Sequence, residues 1–89
     1  MSLSYTNPSR SFDASNSRVC IWGYDSTIEI SFFIEAEALK RLCPDMSEVE
    51  SGFLQAFDTA RKRIYEAADK VYARAGKASC AYILAAENF

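Results

Sequence analysis

Few side chains in this sequence could do covalent chemistry, and histidine is absent. That absence removes the commonest general base, the commonest metal ligand and every histidine-dependent triad. The cysteines are Cys20, Cys43 and Cys80, an odd number with no close metal-type spacing. A transition-metal site would need all three plus a carboxylate, so neither a metal nor a cofactor is expected. Free cysteine packs well as a small hydrophobe. Three reduced thiols, at least two of them packed into the fold, suit a reducing cytoplasm. Ser79-Cys80 has no base to activate it, and three glycines in all cannot supply a glycine-rich phosphate loop. No catalytic residue is assigned, and a non-enzymatic role is expected.

Three other groups carry information. Glu35, Glu37, Asp45, Glu48 and Glu50 cluster where two helices start, which suits capping and the helix dipole better than acid–base work. Lys70, Arg74 and Lys77 recur at helical spacing and form a candidate anion or nucleic-acid contact. Against this stand the net charge of −2 and the competing role of a solvated helix face. Trp22, Tyr24 and Phe33 are the candidate interface residues, because aromatics with polar tips concentrate at binding hot spots. An N-terminal arm covering them within one chain is the competing reading.

These residues need elements to position them. With 89 residues the chain fits a single domain, 1–89, with residues 1–10 as an extended arm. Arg10 is expected to clamp the arm to Asp13 or to a helix carboxylate. MSLSYTNPSRSF lacks a basic stretch followed by an apolar one, so it does not read as a signal peptide. No apolar run approaches the roughly 20 residues of a membrane span.

Ser11–Ala14 reads as a short edge strand. Arg18–Tyr24 and Thr27–Ile34 are rich in β-branched and aromatic residues and read as a hairpin turning at Asp25-Ser26. That turn sets Ile21 opposite Ile30 and Val19 opposite Phe32. Ile28, Ile30 and Phe32 then share a face with Val19 and Ile21. The other face takes Arg18, Cys20, Trp22, Tyr24, Thr27, Glu29, Ser31 and Phe33.

Glu35–Leu42 has helical spacing and is stopped by Pro44. Ser47-Glu48-Val49-Glu50 has the form of a capping box. From about Glu48 to Ala75 the apolar residues Val49, Phe53, Phe57, Ala60, Ile64, Ala67 or Ala68, Val71 and Ala75 recur in threes and fours, and Gly76 is the expected terminator. A helix of roughly 28 residues would be about 42 Å long. It should therefore kink near Gly52 or overhang its sheet. Ala78–Leu84 reads as the last strand.

Several ordered segments carry a family resemblance. They are Asn7-Pro8-Ser9-Arg10-Ser11-Phe12-Asp13, Val19-Cys20-Ile21-Trp22-Gly23-Tyr24-Asp25 and Glu29-Ile30-Ser31-Phe32-Phe33-Ile34. Phe57-Asp58-Thr59-Ala60-Arg61, Ala67-Ala68-Asp69-Lys70-Val71-Tyr72, Tyr82-Ile83-Leu84 and the terminal Phe89 complete the set. The chain resembles the bacterial domain-of-unknown-function family 1488 over nearly its whole length. The resemblance implies a compact bacterial α+β protein and brings no assigned reaction, ligand or catalytic residue. Where the family usually has an acidic residue before the terminal Phe, this chain has Asn88.

The expected fold is α+β. An antiparallel sheet of three to four strands packs on one long helix plus a short one, in the order β-β-β-α-α-β. The core should join Val19, Ile21, Ile28, Ile30 and Phe32 to Phe53, Phe57, Ile64 and Val71. The expected role is an interaction or regulatory module that self-associates as a homodimer and has no membrane partner. Its interface should be the aromatic face, with the helix around Tyr65 and Tyr72 as the second choice. The alternatives are a nucleic-acid-associated protein using the basic helix, and a small-molecule-binding protein. Salt-dependent retention on DNA or RNA would favour the first of these.

Overall fold

In a computed structural model, residues 3–5, 10–75 and 80–89 are described. Strands β1 (Ser11–Asp13), β2 (Arg18–Asp25) and β3 (Ile28–Glu35) precede helices α1 (Ala36–Leu42) and α2 (Glu50–Arg74). Strand β4 (Ala81–Leu84) and a 3-10 turn over Ala86–Asn88 close the chain. The order matches the sequence expectation, and the fold is α+β. The sheet runs β1-β2-β3-β4. Its first three strands are antiparallel, but β4 joins β3 in parallel, so the sheet is mixed rather than wholly antiparallel. The two helices form the long crossover that a parallel connection requires.

The β2–β3 hairpin turns one residue later than the sequence suggested. Ser26 takes φ 59° at the first position of a two-residue loop, a geometry that matches the strands' right-handed twist. The register therefore moves by two, placing Ile21 opposite Phe32 and Val19 opposite Ile34. A two-residue shift leaves every side chain on its original face. It moves Ile28 to the hairpin tip opposite Asp25, where it is 53 % exposed. Ile34 takes its place in the core and is fully buried.

The core lies between the inner sheet face and the helices. Val19, Ile21, Ile30, Phe32 and Leu84 from the sheet meet Leu39, Phe53, Phe57, Ile64 and Tyr72. Val71, expected among them, is half-buried at the margin, and Tyr72 occupies the inner position. Helix α2 runs without a break through Gly52, which sits against the Ser47 carbonyl. At about 1.5 Å per residue its 25 residues span roughly 38 Å. Its buried residues run from Gly52 to Tyr72, so it has no long overhang. Cover beyond the sheet comes from Leu3 and Tyr5, and at the sheet's edge Phe12 of β1 stacks on Phe53 with ring centroids 5.1 Å apart. Of the second-choice interface residues, Tyr72 is buried and Tyr65 stacks on Tyr5 with ring centroids 4.0 Å apart.

The capping box does not form. The N-cap of α2 is Val49, which makes no side-chain cap bond. Glu48 instead pairs with Lys40 at 2.8 Å, tying the connection to α1. At the chain's end, Asn88 Oδ1 accepts the Ala85 N–H at 2.8 Å. Gly76, the expected terminator, lies outside the described residues, as do Asn7, Pro8 and Ser9.

The arm is held by specific bonds. Ser4 exchanges two backbone hydrogen bonds with Tyr24, at 2.9 and 2.8 Å. The Leu3 N–H and the Tyr5 hydroxyl both donate to Asp69 Oδ1 at 3.0 Å. Gly23 leaves the room this requires, since a Cβ there would lie 2.9 Å from Tyr5 Cε1. Arg10 clamps a helix carboxylate, as expected: Nε and Nη2 donate to the two oxygens of Asp58 at 3.0 and 2.8 Å.

Burial raises the Tyr5 hydroxyl well above its ordinary value, and the Asp69 carboxylate adds to the effect. Tyr72, which donates to Asp25 Oδ2 at 2.8 Å, is pushed up to about 12, first by burial and then by that bond. Both hydroxyls ionise less readily folded than unfolded. Their stabilisation is therefore complete below about pH 10 and is lost as pH rises beyond it. Ultraviolet titration should show these two tyrosines ionising above about pH 10, together with alkaline unfolding. Tyr5→Phe should remove one late-ionising tyrosine. An unchanged titration in that variant would contradict the docked arm.

Candidate interaction surface

Alternation along each strand sends one set of side chains to the core and the other to the outer sheet face. Pairing then arranges the outer set in rows. Asp13, Arg18 and Glu35 form the first row; Ser11, Cys20, Phe33 and Ile83 form the second. Trp22, Ser31 and Ala81 form the third, and Tyr24 and Glu29 the fourth. The two middle rows thus join Trp22, Phe33, Ile83, Cys20 and Ala81 into one largely apolar patch.

Trp22, Tyr24 and Phe33 share this face, as the sequence indicated. No helix or arm covers it among the described residues: Leu3, Tyr5, Phe12, α1 and α2 all pack on the opposite side. Trp22, Tyr24 and Phe33 are each half-buried by their neighbours in the sheet, while Ile83 is 52 % exposed. The sequence reading missed Ile83 and Ala81. Alternation within Ala81–Leu84 separates them from Tyr82 and Leu84. Only the parallel pairing with β3 sets them beside Phe33 and Ser31.

The rim of the patch is polar and partly organised. Arg18 Nε donates to Asp13 Oδ2 at 3.0 Å, and its guanidinium lies 4.2 Å from the Phe33 ring centroid. The Asn16 amide and then Arg18 hold the Asp13 carboxyl below its ordinary value. The Tyr24 hydroxyl donates to Glu29 Oε2 at 3.0 Å. Burial raises the Cys20 thiol, which keeps it protonated and a poor nucleophile.

Cys43 is half-buried, with its thiol 3.7 Å from the Ala56 carbonyl, while Cys80 is exposed; no disulfide links the three. Among the described residues, no group of three or more Cys, Asp or Glu is placed to hold a metal ion. Nor is any helix there long and apolar enough to cross a membrane.

The basic stripe is less coherent. Lys70 and Arg74 are exposed on α2, but Glu66 and Glu87 line the same shallow grooves. Lys77 lies outside the described residues. Asp58, one helical turn before Lys62, is bonded to Arg10 and Arg61.

Residues 3–84 match the family described as "Protein of unknown function (DUF1488)". The chain belongs to the DUF1488 family. The match takes in the arm, all four strands and both helices, so the outer face lies wholly within the family's region. No curated protein and no solved structure matches this DUF1488 chain.

Proposed function

We propose that this DUF1488 protein is a non-enzymatic, cytoplasmic interaction module that self-associates through the outer face of its sheet. The observation that carries the reading is the patch of Trp22, Phe33 and Ile83 on a face with no cover among the described residues. Apolar surface costs roughly 25 cal/mol per Å² to leave in water, and aromatic clusters ringed by polar groups are typical of interface centres. The rim of Arg18, Asp13, Tyr24 and Glu29 supplies such a ring. A lack of histidine and the raised thiol of Cys20 favour a binding role over a catalytic one.

Light scattering over a concentration series, from micromolar up to the highest soluble concentration, tests this reading. The parent chain should run as a dimer, and Trp22→Ser/Phe33→Ser should run as a monomer with an unchanged far-ultraviolet spectrum. A monomeric parent would overturn the proposal, as would a dimer indifferent to both substitutions.

A further inference from the structure

We infer that the outer sheet face receives a second copy of this chain about a twofold axis running along the strands between β2 and β3. Each β2 then lies over the partner's β3. The inference rests on the proposed self-association and specifies its geometry.

Four cross-strand pairs span the centre of the face: Arg18 with Glu35, Cys20 with Phe33, Trp22 with Ser31 and Tyr24 with Glu29. Each pair is complementary in size or charge. Rotation about an axis along the strands, between these two columns, carries each residue over its own cross-strand mate in the other copy. Trp22 meets the partner's Ser31, and Phe33 meets the partner's Cys20. At the edges, Ile83 meets the partner's Ser11, because β4 comes over β1. Large side chains thus fall on small ones at these three contacts of the two middle rows. At the rim, Arg18 meets the partner's Glu35, and Tyr24 meets the partner's Glu29.

Charge decides between this axis and the one perpendicular to it in the plane between the faces, the two that leave the stacked strands aligned. An axis across the strands exchanges the first row with the fourth. It sets Glu35 against the partner's Glu29 twice over, a like-charge contact. The axis along the strands puts Glu35 against Arg18, the one cation on this face among the described residues. Glu35 is half-buried and makes no ion pair of its own among the described residues. Two sheets stacked in this way pack aligned, about 10 Å apart, with the helices outermost. With strands about 4.8 Å apart and a rise of about 3.3 Å per residue, the face measures roughly 20 by 20 Å. Two such faces cover about 800 Å² in total, below the standard size of specific contacts, which fits a weak dimer.

Charge exchange tests the axis. Arg18→Glu and Glu35→Arg, each alone, should raise the dimer dissociation constant about tenfold or more, since each places like charges together at two symmetric points. An equimolar mixture of the two should recover parent-like association, because the mixed dimer restores both opposite-charge contacts. Recovery can only come from contacts between chains, as each chain keeps its own mismatch. If either reversal fails to fold, Glu35→Gln serves in its place. It should weaken association severalfold and leave the spectrum unchanged.

A mixture that stays weak overturns the axis. So does a set of charge variants that all associate like the parent while Trp22→Ser/Phe33→Ser does not; the sheet face would then survive as the interface. A monomeric parent overturns both proposals.

Discussion

Phe57→Ala should destabilise the protein by about 3–5 kcal/mol, the range for truncating a buried aromatic side chain. Phe57 has no exposure and lies at the centre of the inner face of α2. Tyr65 meets it edge-on with ring centroids 6.2 Å apart, and the Arg61 guanidinium lies 4.8 Å from its ring centroid. Neither neighbour can collapse into the vacated space without giving up its own partners. Tyr65 is stacked on Tyr5, and Arg61 donates to Asp58 and to the Tyr65 hydroxyl. A domain of this length has a total stability of about 4–13 kcal/mol. The variant should therefore lose a large fraction of it, with a midpoint lower by roughly 12 °C or more. Phe57→Leu keeps most of the volume and should cost much less. Urea unfolding at one fixed protein concentration measures both, which keeps any contribution from self-association constant. A loss below about 1 kcal/mol for the alanine variant would contradict a fully packed Phe57.

Gly52→Ala should also destabilise, against the usual trend for helices. Within an exposed helix, alanine is favoured over glycine by about 1 kcal/mol. At Gly52 the new methyl would run into the Ser47 carbonyl oxygen and lie 2.8 Å from its carbon. The obstacle is backbone, so a rotamer change cannot relieve it. The connection between the helices would have to move. That segment is held by the Lys40–Glu48 ion pair, by the Met46 N–H donating to the Cys43 carbonyl at 3.1 Å, and by Met46 packed against the core. We expect a net loss of about 1–3 kcal/mol, the scale of overpacking at a close contact. The same unfolding experiment checks the sign. A gain in stability would mean that the connection yields freely.

Both effects show where reading the sequence succeeds and where it stops. The pattern Phe53, Phe57, Ala60, Ile64 was enough to place Phe57 inside, because helical periodicity is written in consecutive residues. Gly52 looked like a weak point for a kink. Its role is to admit the Ser47 backbone, a contact made by the path of the connecting segment. The capping box failed for a related reason. Ser47 passes across the first turn of α2, and Glu48 is engaged by Lys40 from another helix.

The faces of the hairpin were legible although its register was not. Sliding β3 by two residues preserves parity, so Trp22, Tyr24 and Phe33 remained together while Ile28 left the core and Ile34 entered it. The turn's position depended on Ser26 adopting a left-handed conformation, a state that serine enters only when the strands on either side require it.

By itself the sequence determined the element order, the division of each strand and helix into two faces, the grouping of the three aromatics and the clamp on Arg10. Each follows from local spacing or from the chemistry of a single residue. Tertiary structure alone decided that β4 would run parallel beside β3, carrying Ile83 and Ala81 into the outer patch. It also decided that Asp69 would hold the arm and that α2 would be covered along its length. These depend on which segments, distant along the chain, bury each other's apolar surface. Burial on that scale is a property of the whole packed domain, and no local pattern encodes it.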